Sequence, residues 1–125
     1  RGNHWTLCVA FMKTKCIKYY DSVVGNLETG DKYMKLLMHY LVDECNVNEE
    51  GWSQTIVAGE RQENGHDCGV FMAGFASQIA LKRDPKFTQE NVPYLRQHMV
   101  ASILNNKVEC KKVNGDDSDD ERGYF

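Results

Sequence analysis

A mixed α+β domain is predicted by three observations. Two short apolar runs, at 4–11 and 16–22, are joined by a link of only a few residues. Three later segments repeat their apolar residues at helical intervals, and one more strand-like run lies between the first two of them. The first run, HWTLCVAF, is too continuously apolar for an exposed strand and reads as a buried one with His4 at its mouth. The second, CIKYYDS, partly alternates apolar and polar positions, as a half-buried strand does. Residues 13–15 then form a hairpin link, and antiparallel neighbours joined this way place the start of one strand beside the end of the next. His4 and Asp21 are therefore expected at the same sheet edge.

Residues 25–30 read as a loop and 31–44 as an amphipathic helix, with Tyr33, Met34, Leu37, Met38, Tyr40 and Leu41 on one broad face. A second loop at 46–51 leads into a strand over 52–58, where Trp52, Ile56 and Val57 are the packing residues. Next comes RQENGHDCGVF at 61–71. Asn64 and Gly65 suit a tight turn, Asp67 is a favourable N-cap, and Val70, Phe71, Phe75 and Ile79 follow at helical spacing. A charged break at 82–85 precedes a last helix starting near Asn91 or Val92. Pro93 is tolerated in its first turn, and Val92, Leu95, Met99 and Ile103 recur on one face, with Arg96 on or beside it.

This pattern puts Cys68 in the first turn of a helix, where unpaired backbone N–H groups and the helix dipole favour a thiolate over a thiol. His4 is the candidate base, and Asp21 the carboxylate that fixes its tautomer and stabilises the imidazolium. Gln62 is placed to direct its amide at an oxygen that becomes negative when a thiolate attacks a carbonyl. Each residue alone has a plainer reading: a small buried cysteine, a strand-edge histidine, a turn aspartate. His66, two residues before Cys68, is a second candidate base, but it sits on a turn with no partner carboxylate at strand-pair geometry. It reads instead as a solvated turn histidine close enough to influence the sulfur.

Composition narrows the class. The 125 residues are 42% hydrophobic and 26% charged, with a net charge of −3, which suits one folded domain and gives no basic footprint for nucleic acid. No stretch reaches membrane-spanning length or resembles a signal peptide. Five cysteines without a C-x-x-C pair argue against a metal site and a disulfide framework. Cys8 and Cys16 read as reduced core residues, in keeping with a cytosolic or nuclear compartment.

The stretches HWTLCVAF, KYYDSVVG, RQENGHDCGVF and FTQENVPYLRQHMVASIL, in that order, resemble the SUMO-specific ubiquitin-like-protein proteases, the Ulp or sentrin-protease family of cysteine peptidases. The resemblance covers His4 to about Lys107 and implies a papain-like fold with a central mixed sheet flanked by helices. It implies His4 as general base, Asp21 as its orienter, Gln62 in the oxyanion hole and Cys68 as nucleophile. It also implies Trp5 as one wall of a narrow tunnel for a Gly-Gly tail; a flat aromatic face leaves room for glycine backbone and excludes a Cβ. The expected activity is release of SUMO from conjugated proteins, maturation of SUMO precursors, or both, by a nuclear, monomeric enzyme without cofactor or metal; nuclear envelope and cytoplasm are alternative locations. The Thr88-Gln89, Pro93, Arg96, Met99-Val100 and Ile103-Leu104 pattern separates the chain, by resemblance, from relatives that process NEDD8.

Alternatives stay open: a protease for NEDD8, another ubiquitin-like protein or an ordinary polypeptide, and a catalytically silent SUMO-binding module. The chain opens without methionine and without the upstream part that the family's domain carries, and so reads as a fragment: residues 1–110 as the C-terminal part of the catalytic domain, and 111–125 as an acidic, disordered tail with a candidate phosphoacceptor at Ser118.

Overall fold

The computed structural model of the protein describes residues 4–23 and 27–106. The expected acidic tail and Cys110 fall outside them. Strands β1 (Leu7–Phe11) and β2 (Cys16–Tyr20) form the antiparallel hairpin, in a register that runs from Leu7 opposite Tyr20 to Phe11 opposite Cys16. The turn closes with Lys15 at φ 47°, a left-handed conformation. Strand β3 (Ser53–Val57) pairs parallel with β2 on its other side, so the sheet is mixed, in the order β1-β2-β3.

The long crossover between the parallel strands β2 and β3 is helix α1 (Leu27–Cys45), which begins earlier than the sequence suggests. Gly30 reads in sequence as loop punctuation, yet it lies inside the helix and is buried. A Cβ there would come within 2.8 Å of the Tyr19 ring and 2.9 Å of Ile56, so the missing side chain lets α1 settle against the sheet. Met34, Met38 and Leu41 turn inward as expected, whereas Tyr33 and Tyr40 of the predicted face are exposed. A broad apolar stripe exceeds what one side of a three-stranded sheet can cover.

Helix α2 (Cys68–Ala80) packs on the opposite face, followed by a 3₁₀ turn (Gln89–Asn91) and helix α3 (Val92–Leu104). Tyr20, Val70, Phe71, Phe75, Phe87, Val92 and Leu95 form the core there. Two expectations need correction. The first strand is not fully buried: among the described residues it is the edge of the sheet, and Leu7 to Ala10 are only half-covered. Ile103 is 77% exposed, because α3 meets α2 through its first turns and its far end runs past it.

Candidate active site

Three separate segments converge at one end of the sheet. The hairpin register brings the residues just before β1 beside those just after β2, and there His4 Nε2 lies 2.6 Å from Asp21 Oδ1. An ionised carboxylate only accepts hydrogen bonds, so Nε2 carries the proton and the other ring nitrogen, Nδ1, is left as the basic one. Asp21 Oδ1 also accepts from the backbone N–H of Val23 at 2.9 Å, which fixes the carboxylate. Cys68 is the first residue of α2, as its turn-then-helix setting suggested, and its side chain is buried.

The electrostatics of this pair favour separated charge. The thiol of Cys68 is held below the ordinary cysteine range. The largest cause is a hydrogen bond from the backbone N–H of Trp5; burial opposes it, and the His4 ring and the Gly69 backbone add to it. His4 moves the other way: burial disfavours its charged form, but hydrogen bonds to Asp21 and Cys68 and their negative charge outweigh burial and raise it. A lowered thiol beside a raised imidazole shifts the proton from sulfur to nitrogen.

Gln62 is locked at both ends of its amide. Its Oε1 accepts from the hydroxyl of Ser22 at 2.6 Å and its Nε2 donates to the carbonyl of Asn64. Its backbone N–H also bonds the Ser22 carbonyl at 2.9 Å. An amide nitrogen has two hydrogens, so one N–H remains to be aimed by this lock. Ser22 is 1% exposed, although a serine after a strand reads in sequence as turn chemistry; the signal that marks it is adjacency to Asp21. The dipeptide Asp21-Ser22 thus holds both His4 and Gln62.

Asp67 occupies the N-cap position of α2, but its side chain does not cap the helix. It is turned away and buried, accepting from Asn64 Nδ2 at 2.6 Å, Gln89 Nε2 at 2.7 Å and the guanidinium of Arg96. The Asn64 hydrogen bond, with smaller contributions from Arg96 and Gln89 and against the opposing effect of burial, pushes its pKa down to about 2. The capping expectation fails because these side-chain donors compete for the same carboxylate. Trp5, 62% exposed, lines a shallow cleft with Gly65, His66, Cys68 and Gly69. Its ring lies 3.6 Å from where a Cβ on Gly69 would stand. His66 is exposed on the turn, its backbone N–H bonded to Asn64 Oδ1 at 3.0 Å.

A thiol, an imidazole and a carboxylate assembled in this order at the edge of an α+β sheet have the chemical layout of a cysteine hydrolase. Residues 1–108 match the family model of the Ulp1 protease family, C-terminal catalytic domain, and the chain belongs to that family. It is 36% identical over 111 residues to the sentrin-specific protease of Caenorhabditis elegans, covering 86% of this chain and 16% of that protein. With ubiquitin-like-specific protease 1A of Arabidopsis thaliana the identity is 35% over 113 residues, covering 85% and 22%. Among solved structures, the Ulp1-like SUMO protease catalytic domain of Chaetomium thermophilum superposes with a TM-score of 0.71 at 31% identity, over 87% of this chain and 44% of that one. The fold is also that of the C-terminal Ulp1 protease domain solved in complex with Smt3, the yeast orthologue of SUMO, at a TM-score of 0.78 and 22% identity, over 86% and 49% of the two chains. The chain thus spans less than a quarter of these two curated relatives and about half of the solved catalytic domains.

Proposed function

We propose that this chain carries the catalytic centre of a cysteine peptidase that releases SUMO from conjugated proteins and matures SUMO precursors. The observation that carries the reading is the His4–Asp21 contact at 2.6 Å beside a cysteine whose thiol is lowered by its surroundings. Relatives named sentrin-specific and ubiquitin-like-specific proteases supply the substrate class.

In this mechanism the Cys68 thiolate attacks the carbonyl carbon of the substrate's terminal glycine, and the carbonyl oxygen becomes an anion that the second N–H of Gln62 meets. Collapse breaks the C–N bond, and His4 delivers its proton to the leaving lysine amine, or to the α-amine of a precursor. The resulting thioester is hydrolysed by water, with His4 taking the water's proton and Asp21 steadying the imidazolium. The Trp5 ring beside Gly69 suits an approach by glycine backbone without side chains. The enzyme acts as a monomer in the nucleus, needs no cofactor, and binds neither nucleic acid nor membrane. No described helix is long and apolar enough to cross a membrane.

The test incubates the full protein with SUMO, NEDD8 and ubiquitin probes bearing a C-terminal thiol-reactive group and maps the adduct by mass spectrometry. Selective SUMO adduction at Cys68, lost in Cys68→Ala, is the expected result. Preferential NEDD8 or ubiquitin adducts would reassign the substrate, and a folded protein with no adduct at Cys68 would point to a binding module. Gln62→Ala should lower turnover by roughly a hundred- to a thousandfold, as for loss of an oxyanion donor. A fall below about threefold would remove Gln62 from the mechanism.

A further inference from the structure

Residues 62–67 carry Gln62 at one end and lead into Cys68 at the other, so this loop sets the separation of oxyanion donor and nucleophile. A single side chain from elsewhere in the chain spans it. Gln89 accepts the backbone N–H of Glu63 on its Oε1 at 2.9 Å and donates from Nε2 to Asp67 Oδ2 at 2.7 Å. Glu63 directly follows Gln62, and Asp67 directly precedes Cys68. One amide is therefore tied to the immediate neighbours of both groups.

The base from which Gln89 reaches is itself anchored. Its 3₁₀ turn is closed at Thr88, whose backbone N–H bonds Asn91 Oδ1 at 2.8 Å, while the Asn91 N–H bonds the Thr88 carbonyl at 3.0 Å. Just before it, Phe87 is 2% exposed, with its ring centroid 5.1 Å from that of Phe71 and 5.2 Å from that of Phe75, both on α2. Arg96 holds the other carboxylate oxygen of Asp67 from α3, and Asn64 Nδ2 shares Oδ2 with Gln89.

We propose that Gln89 is a positioning residue of the active site, a two-ended clamp that sets where Gln62 stands relative to Cys68. The inference rests on the roles proposed above for those two residues. An amide is suited to this task because it offers an acceptor to a backbone N–H and a donor to a carboxylate at the same time. Loss of the clamp leaves the residues that react with substrate present but lets their spacing drift, and a displacement of about 1 Å can cost a hundredfold in rate.

The test uses Gln89→Met, which keeps the length of the side chain and removes both hydrogen-bonding ends, and Gln89→Glu, made in the full protein. With a SUMO C-terminal reporter, Gln89→Met should lower kcat by about ten- to a hundredfold and leave KM within about twofold. Alkylation of Cys68 by iodoacetamide, followed by mass spectrometry, should also slow by roughly fivefold. In Gln89→Glu the ionised carboxylate faces that of Asp67 and competes for Arg96, whereas the protonated carboxyl again offers one donor and one acceptor. The ratio of its rate to the wild-type rate should therefore climb as the pH falls from about 8 to about 4.5, into the range where a glutamic acid of ordinary pKa, about 4.3, takes up its proton.

Variants that match the wild type within about threefold in both assays, a loss confined to KM, or a ratio flat with pH would overturn the proposal. If wild-type Cys68 is alkylated but the reporter is not cleaved, the substrate assignment fails on its own. The alkylation arm, which needs no protein substrate, then decides the role of Gln89.

Discussion

The two faces of the small sheet are built differently, although consecutive residues of β2 feed them. Tyr19 enters a cluster with Ile17, Met34, Met38 and Leu41 under α1, while Tyr20 enters the cluster under α2 and α3. The α1 face is filled mainly by flexible thioether and aliphatic side chains. The other face is a set of contacting rings, with Tyr20 5.6 Å from Phe75 and Phe71 6.1 Å from Phe75 between ring centroids, closed by Phe87. Even its glycine is part of the fit: a Cβ on Gly74 would come within 2.6 Å of Phe87. The stiff face is the one from which α2 presents Cys68. Methionine adapts to irregular gaps, whereas interlocked rings hold one arrangement, and the nucleophile proposed at this helix start needs the second kind of support.

The sharpest test of that contrast is Phe87→Ala, which removes the ring shared by α2 and the segment leading to Gln89. It should cost about 3–5 kcal/mol by urea denaturation and, in protein that remains folded, depress kcat as well. Unchanged turnover in the folded fraction would show that the aromatic face supports the fold without supporting the site.

Next comes the chemistry of two cysteine thiols associated with opposite faces. Cys68 is lowered, first by the Trp5 N–H, whereas Cys8, packed against the α1-side cluster, is raised by burial. The thiolate is the reactive form, and it persists to lower pH at Cys68 than at Cys8. At mildly acidic pH iodoacetamide should therefore label Cys68 at least about tenfold faster than Cys8, although Cys68 is the more buried residue. His4→Ala should shift the Cys68 profile up toward a free cysteine, about 8.5. Equal labelling of the two would remove the electrostatic difference between the faces.

The smallest effect is expected at Met38, 1% exposed and central to the α1 face. Met38→Leu nearly conserves volume and should cost less than about 1.5 kcal/mol, with kcat unchanged. A loss of turnover there would mean that the α1 face is coupled to the site after all.

Much of this arrangement was legible from local pattern. The hairpin, and with it the meeting of His4 and Asp21, follows from two apolar runs joined by a short link, because antiparallel geometry leaves little choice about which ends meet. The setting of Cys68 at a helix start follows from a turn pair and the helical spacing of Val70, Phe71 and Phe75. Asn64, Asp67, Gln89 and Arg96 were all visible too, but as turn former, cap, motif letter and helix-face residue. A carboxylate at an N-cap position and one bound by three side-chain donors look the same in sequence, since two of those partners lie 22 and 29 positions away.

Sequence by itself determined the α+β class, the order of the elements and the four residues proposed for catalysis, because each depends on local periodicity, turn chemistry or near neighbours. Tertiary structure alone decided that Gly30 belongs inside α1, that Tyr33 and Tyr40 face solvent, that Ser22 orients Gln62, and that Asp67 serves as a hub instead of a cap. Those outcomes depend on which surfaces face one another once the chain has folded, where a close approach or a competing hydrogen-bond donor outweighs a local preference.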